Sequence, residues 1–154
     1  MTRTLTAPRQ PARYTDDYVG LPPAPPKPHD NRPPRMFGPS QIATIGNAIY
    51  RGMRPLRLVH DSEHIGQKLA LTCSGVVGEL IVASRRLATD RPMAAANVDD
   101  MRRSMQKAIS LIGGQVRVFC EHYRRADVPM LAAAERDLIG AIEIIIAPPT
   151  LDTH

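Results

Sequence analysis

Hydrophobic residues recur every three or four positions from about residue 40 to residue 147, a spacing that is typical of amphipathic α-helices. The longest stripe steps by three or four along the second such segment: Ile65, Leu69, Cys73, Val76, Leu80, Ala83 and Leu87. The pattern predicts four helices, over 40–54, 62–88, 98–125 and 128–147. No strand-like alternation is visible. Because short loops between long helices favour antiparallel neighbours, we expect an all-α antiparallel helical bundle of about four helices.

Local signals predict where these helices begin and end. Pro55 is expected to end or kink the first helix, because proline removes a backbone donor and crowds the preceding turn. Residues that accept hydrogen bonds from free backbone amides favour helix starts. The expected starts, in chain order, are Ser40, Asp61 or Ser62, Asn97 with Asp100, and Asp127 with Pro129.

Residues 1–39 lack a periodic apolar pattern and hold ten of the fifteen prolines, which predicts an extended arm before a bundle domain of residues 40–154. Proline clusters favour the polyproline II conformation, so little entropy remains to be lost when such an arm docks. The arm also holds three of the six aromatic residues. We therefore expect it to dock on a protein partner, and a plain linker or solubility tail is the alternative. The expected contact residues are Tyr14, Tyr18, Phe37, Arg32 and Arg35.

Charge raises a second hypothesis, in which the protein binds nucleic acid. The chain has 20 basic and 15 acidic residues, but +3 of the net +5 lies in the arm and the bundle is nearly neutral. If the second and third helices fold back about residue 93, four arginines meet at one end of the hairpin and could contact phosphates: Arg85, Arg86, Arg102 and Arg103. Neighbouring acids such as Asp99 and Asp100 favour a solvated, neutralised helix end instead.

The same fold-back places residues whose numbers sum to about 187 at equal height, so Gly75 and Gly78 lie level with Gly113 and Gly114. A glycine inside a helix costs about 0.5–1 kcal/mol relative to alanine, so four of them at one height need a reason. Close helix packing or a kink is the favoured explanation. A ligand or a partner helix in this glycine notch is the alternative.

Titratable residues give no case for an enzyme. The segments "VHDSEH" and "FCEHYRR" meet at the other end of the hairpin, where a metal site on His60, His64 and His122 is the minor alternative to a capped helix start with solvated histidines. No nucleophile motif or phosphate-binding loop is present, and no cofactor is expected. The two cysteines lie in apolar helical positions, which predicts a reduced, intracellular protein.

Together these patterns predict a non-enzymatic structural or assembly protein of a multi-subunit complex, such as a phage virion or another bacterial assembly. Its body would form a homo-oligomer and its arm would dock on a neighbouring subunit. A DNA-associated regulator or accessory factor is the second hypothesis, and a small-ligand-binding helical protein is the third. A cytoplasmic or virion location follows, because no secretory signal or membrane-spanning segment is visible.

Overall fold

The computed structural model describes residues 30–88 and 90–148, and this part of the chain folds as four helical rods, which confirms the all-α prediction. The third rod is continuous but changes its hydrogen bonding in the middle, where a π-helical segment joins two α-helices. A short 3₁₀ turn, Arg125–Asp127, precedes the last helix. The elements are α1 (Pro39–His60), α2 (Gln67–Arg86), α3 (Ala95–Leu111), the π segment (Ile112–Val116), α4 (Arg117–Tyr123) and α5 (Val128–Ile146).

The rods close a bundle around one apolar core. Helix α1 packs mainly against α2 and α5. Helix α3 packs against both α2 and α5. The apolar stripes supply the core, and burying each large side chain contributes about 1.5–3 kcal/mol. The largest fully buried aliphatic side chains are Ile45, Ile49, Leu56, Leu80, Met101, Met105, Ile112, Leu131 and Leu138. None of the described helices is both long enough and apolar enough to span a membrane.

Contacts between α2 and the third rod fix the register of their antiparallel hairpin. Near the loop, Arg86 donates a hydrogen bond to the Asn97 side chain at 3.0 Å. In the middle, the Lys107 ammonium lies 3.1 Å from a Glu79 carboxylate oxygen. At the far end, His64, which lies three residues before α2, stacks its ring on that of Tyr123 with the centroids 4.6 Å apart. The numbers of these pairs sum to between 183 and 187, so the hairpin turns where the sequence pattern placed it.

The predicted N-cap of α1 was wrong. The helix begins at Pro39 after Gly38, whose backbone N–H donates to the side chain of Gln41 at 3.0 Å, so Ser40 lies inside the first turn. Proline suits this position, because its fixed φ matches the helix and the missing donor would have been unpaired.

The predicted starts of α2 and α3 were also displaced. The α2 helix starts after Gly66, and Asp61 instead follows the last residue of α1. Ala94 precedes α3, which places Asn97 and Asp100 within its first turns. There their side chains contact arginines rather than free backbone amides. Only the start of the last helix, just after Asp127, lies where the sequence predicted it.

Pro55 does not end α1, so of the predicted end or kink at this residue the end was wrong. The helix continues to His60, with Pro55, Leu56 and Val59 all buried in the core. A proline inside a helix costs about 3 kcal/mol. Burial of Leu56 and Val59, at about 1.5–3 kcal/mol each, is large enough to offset that cost.

Candidate functional site

The root of the arm is built into the bundle through Arg35. Its guanidinium donates to the carbonyl oxygens of Ile145 at 2.6 Å and Ile144 at 3.0 Å. These carbonyls end α5 and lack partners within the helix, and a cation there also suits the helix dipole. The backbone of Arg35 exchanges two hydrogen bonds, of 2.7 and 2.8 Å, with Met93 in the α2–α3 loop. Arg35 therefore joins the arm root to two parts of the bundle at once.

Phe37 and Arg32 are likewise engaged within their own chain. The Phe37 ring is 3% exposed and belongs to the apolar core, and the Arg35 guanidinium lies 4.8 Å from its centroid. Arg32 forms an ion pair with Asp99 at 2.8 Å. These groups hold the arm root to its own bundle, and the prediction that Arg32, Arg35 and Phe37 also contact a partner stays a prediction. Tyr14 and Tyr18 lie outside the described residues.

The four arginines of the proposed nucleic-acid contact belong to the loop end of the α2–α3 hairpin, where three of them share two carboxylates. Arg103 pairs with Asp100. Arg86 lies 3.8 Å from Asp100, and Arg102 lies 4.0 Å from Asp99. Arg85 is exposed and has no ion-pair partner in the described part of the chain. Two carboxylates thus lie where phosphates would have to bind, which weakens the case for this surface.

The four glycines of the predicted notch differ in their surroundings. A Cβ added at Gly75, Gly78 or Gly114 would meet no atom within 4 Å, so close packing inside the chain does not explain these three. A Cβ at Gly113 would lie 2.9 Å from a Glu135 carboxylate oxygen. Glu135 accepts a hydrogen bond from Arg117 at 2.7 Å, so Gly113 leaves room for that ion pair.

A groove runs between α2 and the third rod beside these glycines, with a volume of about 700 Å³. Its floor includes Val76 and Leu111, while Thr72, Ser110 and Gln115 contribute polar groups. Gly114 lies on its wall and within the π segment, a distortion of α-helices that often occurs at functional sites. Gly75 and Gly78 are not part of the groove and lie on the exposed face of α2 next to it.

The histidines at the far end of the hairpin form an aromatic cluster. The rings of His64 and Tyr123 stack within 4° of parallel, and the His122 ring meets Tyr123 edge-on at 4.5 Å. His60 lies apart, with its Nδ1 3.1 Å from an Asp61 carboxylate oxygen. The described residues bring no three metal-binding side chains close enough to hold an ion. This end of the bundle thus carries a group of exposed, stacked rings.

Both thiols are expected to resist reaction with 5,5′-dithiobis(2-nitrobenzoic acid) at pH 8 while the protein is folded. Cys73 and Cys120 are free and buried. Burial raises the pKa of Cys73 from 9.0 to about 11, which lowers its thiolate fraction by about a hundredfold. Burial also raises the pKa of Cys120, Asp127 adds to the rise, and Arg124 opposes it.

The same shift predicts a pH dependence of stability. The folded state holds the Cys73 proton more tightly than the unfolded state, so the free energy of unfolding should fall as the pH rises above 9.

Release of the coloured thiol product measures the reactivity of the two cysteines with the reagent, with the urea-denatured protein as control. Rapid release from the folded protein at pH 8 would contradict the burial of these thiols.

Two features of the structure were not predicted from the sequence, namely the packing at Gly52 and the position of Tyr50 beside Arg54 and Arg57. Gly52 of α1 leaves room for Leu138 of α5, because a Cβ there would lie 2.8 Å from Leu138 Cδ1. Tyr50, Arg54 and Arg57 share one exposed stripe of α1. Their spacing of four and three residues could have identified the stripe. Comparison with protein-family models, curated proteins and solved structures gives no significant match.

Proposed function

We propose that this protein is a non-enzymatic assembly protein, whose bundle self-associates through α2 and the third rod and whose arm docks on a neighbouring subunit. The observation that carries the proposal is the set of glycines without a packing role inside the chain. Gly75, Gly78 and Gly114 together cost about 1.5–3 kcal/mol relative to alanine, and no atom of the described chain requires them. A helix from a second subunit would explain the cost, because small residues let two helix backbones approach closely.

Apolar side chains flank these glycines on the same surface. Leu71, Gly75, Gly78 and Val82 follow each other by four, three and four residues, so they form one stripe on α2. Leu71 is 66% exposed, and so is Val118, which lies four residues after Gly114. Exposed aliphatic side chains beside a glycine strip suit the apolar centre of a protein interface. We call the surface formed by Leu71, Gly75, Gly78, Val82, Gly114 and Val118 the glycine face.

A small ligand in the groove is the weaker interpretation of the same surface. The groove volume of about 700 Å³ falls in the range of ligand pockets. A ligand bound there would leave Gly75 and Gly78 unexplained, however, since neither lines the groove. A partner helix accounts for the groove and for both glycines.

Replacing Gly75 and Gly78 together by glutamine is expected to weaken self-association at least about tenfold, or about 1.4 kcal/mol. Glutamine is a good helix former and meets no neighbour within the chain, so the fold itself should gain stability. Its length would keep a partner helix away. Sedimentation velocity of the full chain over a range of concentrations measures the mass against the 16.9 kDa of one chain.

Ala132→Gln in α5 is the matched control, because Ala132 is an exposed helical residue that belongs to neither the glycine face nor α1. This variant should associate like the wild type. A wild-type chain that stays monomeric at the highest concentrations would remove the proposal. A double variant with unchanged mass would show that the glycine face is not the interface.

A further inference from the structure

Tyr50, Arg54 and Arg57 form an exposed, positively charged stripe on α1, which we call the α1 stripe. Tyr50 is 66% exposed, and both arginines are exposed as well. With Leu58 and Asp61, the three side chains line a shallow hollow of about 130 Å³. The stripe therefore offers an aromatic ring and two guanidinium groups side by side.

The two arginines of the α1 stripe form no ion pair with the described residues. Neither Arg54 nor Arg57 has a carboxylate within ion-pair distance there, whereas the adjacent Arg51 pairs with Asp137 at 3.2 Å. The nearest acid along the stripe is Asp61, whose carboxylate contacts the His60 ring. The loop end of the α2–α3 hairpin differs, since three of its arginines already lie within ion-pair distance of Asp99 or Asp100. The α1 stripe thus offers an anionic partner two guanidinium groups that no carboxylate of the described residues occupies.

The side chains of the stripe define the chemistry of that partner. A guanidinium group donates two parallel hydrogen bonds to a carboxylate, so Arg54 and Arg57 together could bind two carboxylates. Tyrosine and arginine are also the residues that contribute most at protein interfaces. The fitting ligand is a peptide with two adjacent acidic residues next to an aromatic residue.

The chain itself contains such a peptide. The sequence Tyr14-Thr15-Asp16-Asp17-Tyr18 holds the one pair of adjacent acidic residues in the arm, with a tyrosine on each side. Resting on the proposed assembly function, we infer that residues 14–18 of one copy dock on the α1 stripe of a second copy. Asp16 and Asp17 pair there with Arg54 and Arg57, and a tyrosine packs against Tyr50.

The arm is long enough for this contact. Thirteen residues, 19–31, separate Tyr18 from Arg32, where the arm root pairs with Asp99. At about 3.1 Å per residue, an extended chain of that length spans about 40 Å, more than the ~30 Å diameter of a small domain. Because this span contains five prolines, less conformational entropy is lost when the arm binds.

Reversing the charges on each side tests the contact in the full-length protein. R54E/R57E and D16R/D17R should each associate at least about tenfold more weakly than the wild type, because like charges then face each other. An equimolar mixture of the two variants should recover wild-type association, since each arm then meets a body of opposite charge. A single chain with all four changes should recover it as well. R91E/R136E is the control with the same change in net charge, made at two exposed arginines away from the stripe.

Each outcome separates this inference from the proposed function. If the wild type and R91E/R136E associate equally and both charge reversals do too, the inference is wrong while self-association stands. Recovery in the fourfold variant but not in the mixture would mean that the arm binds its own bundle, which overturns the contact between copies. If R54E/R57E loses binding to a random DNA duplex while self-association is unchanged, the stripe binds phosphates instead. A monomeric wild type would remove the proposed function itself.

Discussion

Replacing Phe37 by alanine is expected to lower the free energy of unfolding by about 3–5 kcal/mol. The ring is 3% exposed and belongs to the main core, so its loss removes buried apolar surface and leaves a cavity. It also removes the surface on which the Arg35 guanidinium lies, 4.8 Å from the ring centroid. Because whole domains are stable by about 5–15 kcal/mol, this change should be among the most damaging single substitutions.

Urea unfolding followed by circular dichroism measures the effect, since the chain has no tryptophan for fluorescence. Met36→Ala is the matched control, because Met36 is the preceding residue and is 55% exposed. Its substitution should change the free energy of unfolding by less than about 0.5 kcal/mol. Equal effects of the two substitutions would contradict the burial of Phe37 and the anchoring of the arm root.

The Phe37 result also bears on how the arm works. A docking arm can hold a neighbouring subunit in a defined position only if the root of the arm is fixed to its own bundle. Arg35 and Phe37 provide that fixation through the end of α5, the α2–α3 loop and the core. Docking would then depend on residues before Asn31, and the α1 stripe offers the complementary charge for Asp16 and Asp17.

Sequence periodicity predicted the helices and their register because both depend on local spacing. The stripe from Ile65 to Leu87 predicted α2. The rule that facing residues have numbers summing to about 187 correctly placed His64 beside Tyr123. Each of these inferences needs only the helical repeat and the position of one turn. The ion pairs of the loop end were foreseeable for the same reason, since Asp99 and Asp100 lie three residues before Arg102 and Arg103 in the chain.

Contacts between distant segments were beyond the reach of the sequence pattern. Arg35 binds carbonyls that lie 109 and 110 residues away, and no local signal distinguishes it from the other arginines of the arm. Helix ends shifted where several capping residues competed, as at Ser40 against Gly38 and Gln41. The end of α1 was predicted wrongly at Pro55, because the cost of this proline is offset by burial of Leu56 and Val59 against other helices. The glycines looked alike in the sequence, and only their surroundings separate Gly52 and Gly113 from Gly75 and Gly78.

Substituting a packed glycine and substituting an open one are expected to change the free energy of unfolding in opposite directions. Gly52→Val should lower the free energy of unfolding by about 1–3 kcal/mol, because its Cβ would lie 2.8, 3.1 and 3.2 Å from three carbons of Leu138. Leu138 is fully buried, so it has little room to move away. Gly75→Ala should instead raise the free energy of unfolding by about 0.5–1 kcal/mol, since its Cβ meets nothing and the helix gains propensity.

A double-mutant cycle identifies Leu138 as the cause of the Gly52→Val effect. Leu138→Ala alone should cost about 2–5 kcal/mol through the cavity that it leaves. Adding Gly52→Val partly fills that cavity, so the double variant should be more stable than the sum of the single effects predicts. Urea unfolding at low protein concentration measures all four chains and keeps self-association out of the comparison. Strict additivity would mean that the α1–α5 contact is looser than the 2.8 Å approach implies, whereas a favourable coupling would show that Gly52 sets the spacing of the two helices.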